Sequence, residues 1–189
     1  MITVTNEEVR LLRPCIDPIK FYSDDNSYTL ENILMNDKIE DPDKIWVVTK
    51  LIGDDDDTTK INRRLAIYAA NYAIASCDKA KIEIDLRTRN APKVARAYFK
   101  GKVTKAELKR ARSAANSARS AAHSAAAYSA ALSAAYAAAD SAADSADYAA
   151  HSAAHSATNA DYSAGSVAYS AAYSAFIAEL LRLIQGVSK

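Results

Sequence analysis

Acids and imidazoles recur at helical spacing inside a stretch that is otherwise almost all alanine and serine. Asp140, Asp144, Asp147, His151 and His155 stand four, three, four and four residues apart, so a helix would place them on one face. Two imidazoles one turn apart, with a carboxylate one turn before them, have the donor types of a transition-metal site. Asp147, His151 and His155 are therefore the candidate metal ligands. The same face would serve equally as a solvated or interfacial surface, or as contacts for a ligand without metal. Tyr148 and Tyr162 sit beside it.

A second row is basic. Lys105, Lys109, Arg112, Asn116, Arg119 and His123 follow at steps of four, three, four, three and four, and Arg87 and Arg89 lie just upstream. Arginine grips phosphate or carboxylate through paired hydrogen bonds, and lysine adds a point charge. With Tyr128 and Tyr136 downstream, these residues form a candidate site for an anionic ligand. The plainer alternatives are pairing with the acidic row, in the same chain or a neighbour, and simple solvation. Exposed pairs of that kind add only about 0–1 kcal/mol each. Neither row calls for a cofactor. There is no nucleophile elbow, P-loop, zinc-finger spacing or dinucleotide fingerprint. The serines fall in helical segments without a base and an oxyanion arrangement, so no enzyme is expected.

The elements that must carry these rows are helices. The chain has 189 residues and a formal net charge of +1, which argues against a binder of extended nucleic acid. Charge is segregated: no Lys or Arg occurs from Ser120 to Leu181, and this predicts a homo-oligomer. Two cysteines, Cys15 and Cys77, make no disulfide framework and fit a reduced, cytoplasmic protein. The N-terminus lacks the regions of a signal peptide, and no run of about 20 large apolar residues would span a membrane. Large apolar residues cluster before Phe99 and after Phe176. The expected organisation is a helical N-terminal region over 1–100 and an Ala/Ser-rich long-helix region over 101–189 packing on it as one domain.

Helix signals run along the whole chain. Thr5 or Asn6 caps a first helix that Pro14 stops, and Ser27 caps a second. Asp41 precedes Pro42 as cap and first turn of a third helix, which ends at Gly53. The run Asp54–Asp57 reads as a capping loop before the next helix, with Ca²⁺ or Mg²⁺ binding as the alternative. "KIEID" reads as a loop, followed by a helix around Pro92 that ends at Gly101. Thr104 and Glu107 form a capping box, after which no Gly or Pro occurs until Gly165. One helix from Thr104 to Thr158 would be about 80 Å long, so a turn interrupts it or it projects. "TNADYSAGS" is the expected break, with a second turn near Tyr136 to Ser141, and the last helix ends at Gly186. Serine and alanine at steps of three, four and seven make a slender stripe along which two helices can approach closely, while the tyrosines supply buried area. The fold class is thus all-α: a helical bundle with long, closely packed Ala/Ser-rich helices.

The segments "RRLAIYAANYAI" and "DLRTRNAPKVARAYFKGKVTKAELKRARSAANSARSAAHSAA" carry a resemblance. A helix over Leu65–Ile74, an acid/Arg turn at Asp85–Arg89, a helix through Val94–Phe99, a link at Gly101 and an alanine run from Ala111 follow one another in that order. Over roughly Thr29 to Ala160 the chain resembles the alanine-rich helical immunity proteins of bacterial polymorphic-toxin systems, a group also found in phage genomes. It departs from them in using serine where they often have alanine. The resemblance implies an all-helical, non-catalytic protein that neutralises a partner by binding it. That partner would be a toxin domain or, in a phage setting, a host-defence component or its nucleotide-derived signal. A phage-encoded chain would act in the host cell cytoplasm. The rival readings are a structural or ice-binding Ala-rich protein, and a metal-binding protein or metalloenzyme built on Asp147, His151 and His155.

Overall fold

A computed structural model describes residues 3–11, 27–52, 56–138, 152, 155–157, 159 and 169–187. Short strands β1 (Thr3–Thr5) and β2 (Ser27–Thr29) pair antiparallel, with Val4 opposite Tyr28. Both of those side chains are buried, so one side of the ribbon closes on the core. Helix α1 (Asn6–Leu11) starts at Thr5: the Glu8 N–H donates to Thr5 Oγ1 at 3.2 Å, and the Thr5 N–H donates to Glu8 Oε2 at 2.7 Å.

Helix α2 (Leu30–Leu34) is capped by Thr29 rather than by Ser27. Ser27 is taken up by strand pairing with Thr5, and the cap moves to the last residue of β2, whose Oγ1 accepts the Asn32 N–H at 3.1 Å. Helix α3 (Asp41–Leu51), by contrast, starts one residue earlier than expected. Its cap position is Glu40, which makes no side-chain capping bond, while Asp41 lies in the first turn and pairs with Lys44 at 2.9 Å. Its C-cap is Ile52; Gly53 lies outside the described residues.

Helix α4 (Asp56–Lys79) begins within the acid run rather than after it, so that Asp56 and Asp57 belong to its first turn. Its buried Asn62 donates from Nδ2 to the Thr49 carbonyl at 3.1 Å and ties it to α3. "KIEID" is a loop. Lys81 at the end of α4 is left-handed (φ 57°), and the following Ile82 N–H reaches back to the Cys77 carbonyl at 2.9 Å, the closing bond of a helix C-terminus. Gly101 plays the same part after α5 (Leu86–Phe99), with φ +67°.

Helix α6 (Lys105–Ser120) opens on the expected Thr104–Glu107 capping box: the Glu107 N–H donates to Thr104 Oγ1, and the Thr104 N–H to Glu107 Oε2. It stops where no break was expected. The Ala121 N–H is shared among carbonyls of the last turn, and Ser124, in extended backbone, accepts the Ala127 N–H on Oγ at 3.1 Å. That starts α7 (Ala125–Ala137), whose end falls inside the expected window Tyr136 to Ser141. The expected break "TNADYSAGS" lies outside the described residues, apart from Asn159.

Helix α7 packs against α4, α5 and α6. Being surrounded, it buries residues almost all round: Ala126, Ala127, Ala130, Ala131, Ser133, Ala134, Ala135 and Ala137. Alanine suits that position because larger side chains would push three neighbouring helices apart. Helix α8 (Tyr169–Val187) packs on α3 and α4 with the ordinary alternative, a stripe of large residues at Tyr173, Phe176, Leu180, Leu183 and Ile184. The rings of Tyr72 and Tyr68 on α4 meet Phe176 edge to face at 5.1 and 6.1 Å. Gly186 lies inside α8 rather than ending it. The described chain is all-α apart from the two short strands, and no helix among the described residues is long and apolar enough to cross a membrane.

Candidate ligand-binding face

The basic row lies on α6. At 100° per residue, Lys105, Lys109, Arg112, Asn116 and Arg119 fall within an arc of about 80°. The buried side of α6, formed by Leu108, Ala115 and Ala118, is centred about 100° round from that arc. The row is therefore a flank of the bundle. Lys105 and Lys109 are exposed, whereas Arg112, Asn116 and Arg119 are half-buried. Lys105 and Arg112 also engage other groups of the chain.

At the C-terminal end of the row, Arg119 meets α7. Its guanidinium carbon sits 5.5 Å from the centre of the Tyr128 ring, a cation–π contact. Tyr128 is nevertheless 45 % exposed, the most exposed large side chain of α7. The sharp turn at Ala121–Ser124 makes this meeting possible, because it folds α7 back beside α6. Tyr136, two turns further on, is half-buried and packs against the core.

The upstream arginines are held by acids of their own neighbourhood. Arg87 donates from Nε and Nη2 to Asp85 at 3.0 and 2.6 Å, and its N–H also donates to Asp85 Oδ1 at 2.8 Å, so that Asp85 caps α5. These bonds favour the carboxylate and hold the Asp85 pKa down at about 2. Arg89 reaches back to α4 and donates from Nη1 to Asp78 Oδ2 at 2.9 Å, which lowers the Asp78 carboxyl in the same way. Both arginines brace the α4–α5 connection, and neither belongs to the α6 row.

His123 also leaves the row, because α6 has already ended. It lines a cavity of about 440 Å³ between the α4–α5 loop and the α6–α7 turn. Sequence reasoning missed this cavity. Its walls come from segments about thirty residues apart, and neither carries a motif.

Of the proposed metal ligands, Asp147 and His151 lie outside the described residues, as do Asp140 and Asp144. His155 is exposed on helical backbone, with Nδ1 at 3.4 Å from Asn159 Nδ2. What the described geometry offers chemically is a cationic flank ending in an exposed ring, and a separate cavity beside it. No protein-family model matches this chain, and no curated protein or solved structure matches it.

Proposed function

We propose that this is a non-catalytic binding protein that neutralises an anionic partner by holding it on the α6 flank. One observation carries the reading: Arg119 is stacked on a tyrosine ring that is still open to a second molecule. A phosphate would take paired hydrogen bonds from Arg119 and charge from Lys109 and Arg112, while a planar group attached to it would lie on Tyr128. A nucleotide-derived ligand has both parts. The resemblance to immunity proteins favours the same mode of action, sequestration without chemistry, while the segregated charge favours a homo-oligomer and the cysteine usage a cytoplasmic protein. The half-burial of Arg112 and Arg119 supports it as well, since a side chain already partly packed loses less freedom on binding than a fully mobile one.

The test is a double-mutant cycle read by calorimetry with adenosine diphosphate as probe. Arg119→Ala and Tyr128→Ala should each weaken binding about tenfold or more, and the double variant should lose less than the product of the two. The probe should be recovered chemically unchanged after incubation. Binding that is indifferent to both substitutions, or turnover of the probe, would refute the proposal.

A further inference from the structure

The cavity beside His123 has a chemistry opposite to that of the α6 flank. No lysine or arginine lines it, whereas two carboxylates do, Glu83 and Asp85. Thr88 and Ser124 add hydroxyls, and the methyls of Ala118, Ala122 and Ala127 make an apolar wall. Thr88 is only 1 % exposed, whereas Glu83, Asp85 and His123 are exposed, so the indentation combines a buried part with an open rim. Its volume of about 440 Å³ falls in the range that takes small ligands. Arg87 already occupies the Asp85 carboxylate with three donors, and the Ser124 hydroxyl oxygen accepts the Ala127 N–H. Glu83 has no hydrogen bond or ion pair among the described residues, so it is the charge a ligand would meet.

A metal ion is a poor match. Among the described residues no three His, Cys, Asp or Glu side chains come together as a ligand set, and Glu83, Asp85 and His123 are no exception. An organic cation fits better: its N–H donors would satisfy Glu83 and the hydroxyls, and its carbon body would lie on the alanine methyls. We infer that the pocket between the α4–α5 loop and the α6–α7 turn binds a small, singly charged aliphatic amine, with Glu83 as counter-ion and Ala118, Ala122 and Ala127 as the apolar wall. The inference is independent of the α6 flank, which selects the opposite charge.

The experiment is an amide-resonance titration of the full chain with n-butylammonium chloride, and with sodium butyrate as the charge-reversed control. The expected result is saturable shifts in 82–88 and 118–127 with the amine and none with butyrate. Glu83→Gln should weaken the amine about tenfold, the usual scale for losing a charge-assisted hydrogen bond. Ala122→Leu, which narrows the pocket at its apolar wall, should weaken the amine while the helical circular dichroism persists. Should that variant fail to fold, Glu83→Gln still decides. Equal binding of butyrate, unchanged affinity in Glu83→Gln, or no saturable shift in the wild type would overturn the inference.

Discussion

Replacing Ala130 by leucine would insert three carbons where the chain has left no room for them. Ala130 is fully buried on α7, and α7 is bordered by α4, α5 and α6. Helix α4 is itself slender along part of its length, with Ala66, Ala69, Ala70 and Ala73 buried. If leucine were merely more apolar area, it would stabilise the chain, since burial contributes roughly 25 cal/mol per Å². In a close-packed interior the extra volume instead forces side chains off their rotamers and helices apart, at a cost of about 1–3 kcal/mol. A chain of this size loses roughly 2–4 °C in Tm per kcal/mol, so Ala130→Leu should melt about 2–12 °C lower. Thermal unfolding by circular dichroism measures this. Ala125→Leu is the control, because Ala125 begins the same helix but is exposed and should change stability by no more than about 0.5 kcal/mol. A variant at position 130 melting at or above the wild type would mean that α7 sits in a loose environment, and the close-packing argument would fail.

Other outcomes follow from single positions. Ser124→Ala removes the oxygen that accepts the Ala127 N–H and should cost about 1 kcal/mol in chemical denaturation; no loss would show that the turn is fixed without its cap. Lys81→Gly should stabilise the chain by about 1 kcal/mol, because a left-handed backbone penalises any side chain; a destabilised variant would contradict the assigned turn. Asp85 ionises more readily folded than unfolded, so its stabilisation is complete above the ordinary carboxyl value of 3.8 and fades as pH falls toward about 2. The pair with Arg87 is exposed and screened, which keeps the effect small. In Asp85→Asn that part of the acid-denaturation profile should flatten, and an unaltered profile would assign the acid sensitivity elsewhere.

Local signals were legible in the sequence, and non-local ones were not. Thr104 and Glu107 satisfy each other within four residues, so their capping box could be read from spacing alone. Alanine's helix preference gave the fold class for the same reason. The cap at Thr29 could not be read, because Ser27 is claimed by a strand partner near the start of the chain. The turn at Ala121–Ser124 uses neither Gly nor Pro, and its capping serine is one of many in the tract. That hidden turn also decided how much of the basic row was legible. Lys105 to Arg119 form the row because one helix carries them, whereas the helical spacing that extends to His123 outlasts the helix itself. Arg87 and Arg89 resembled ligand groups until their acids, one across the α4–α5 connection, came into view.

The claim at the centre is that the α6 flank, closed off by Tyr128, recognises an anion. Calorimetric titration of adenosine diphosphate into the wild type and into a chain carrying Lys109→Ala, Arg112→Ala and Arg119→Ala together addresses it most directly. The wild type should bind with an affinity that falls as salt rises, and the triple variant, with its helical content and Tm retained, should not bind measurably. A correctly folded triple variant that binds the nucleotide as tightly as the wild type would contradict the claim.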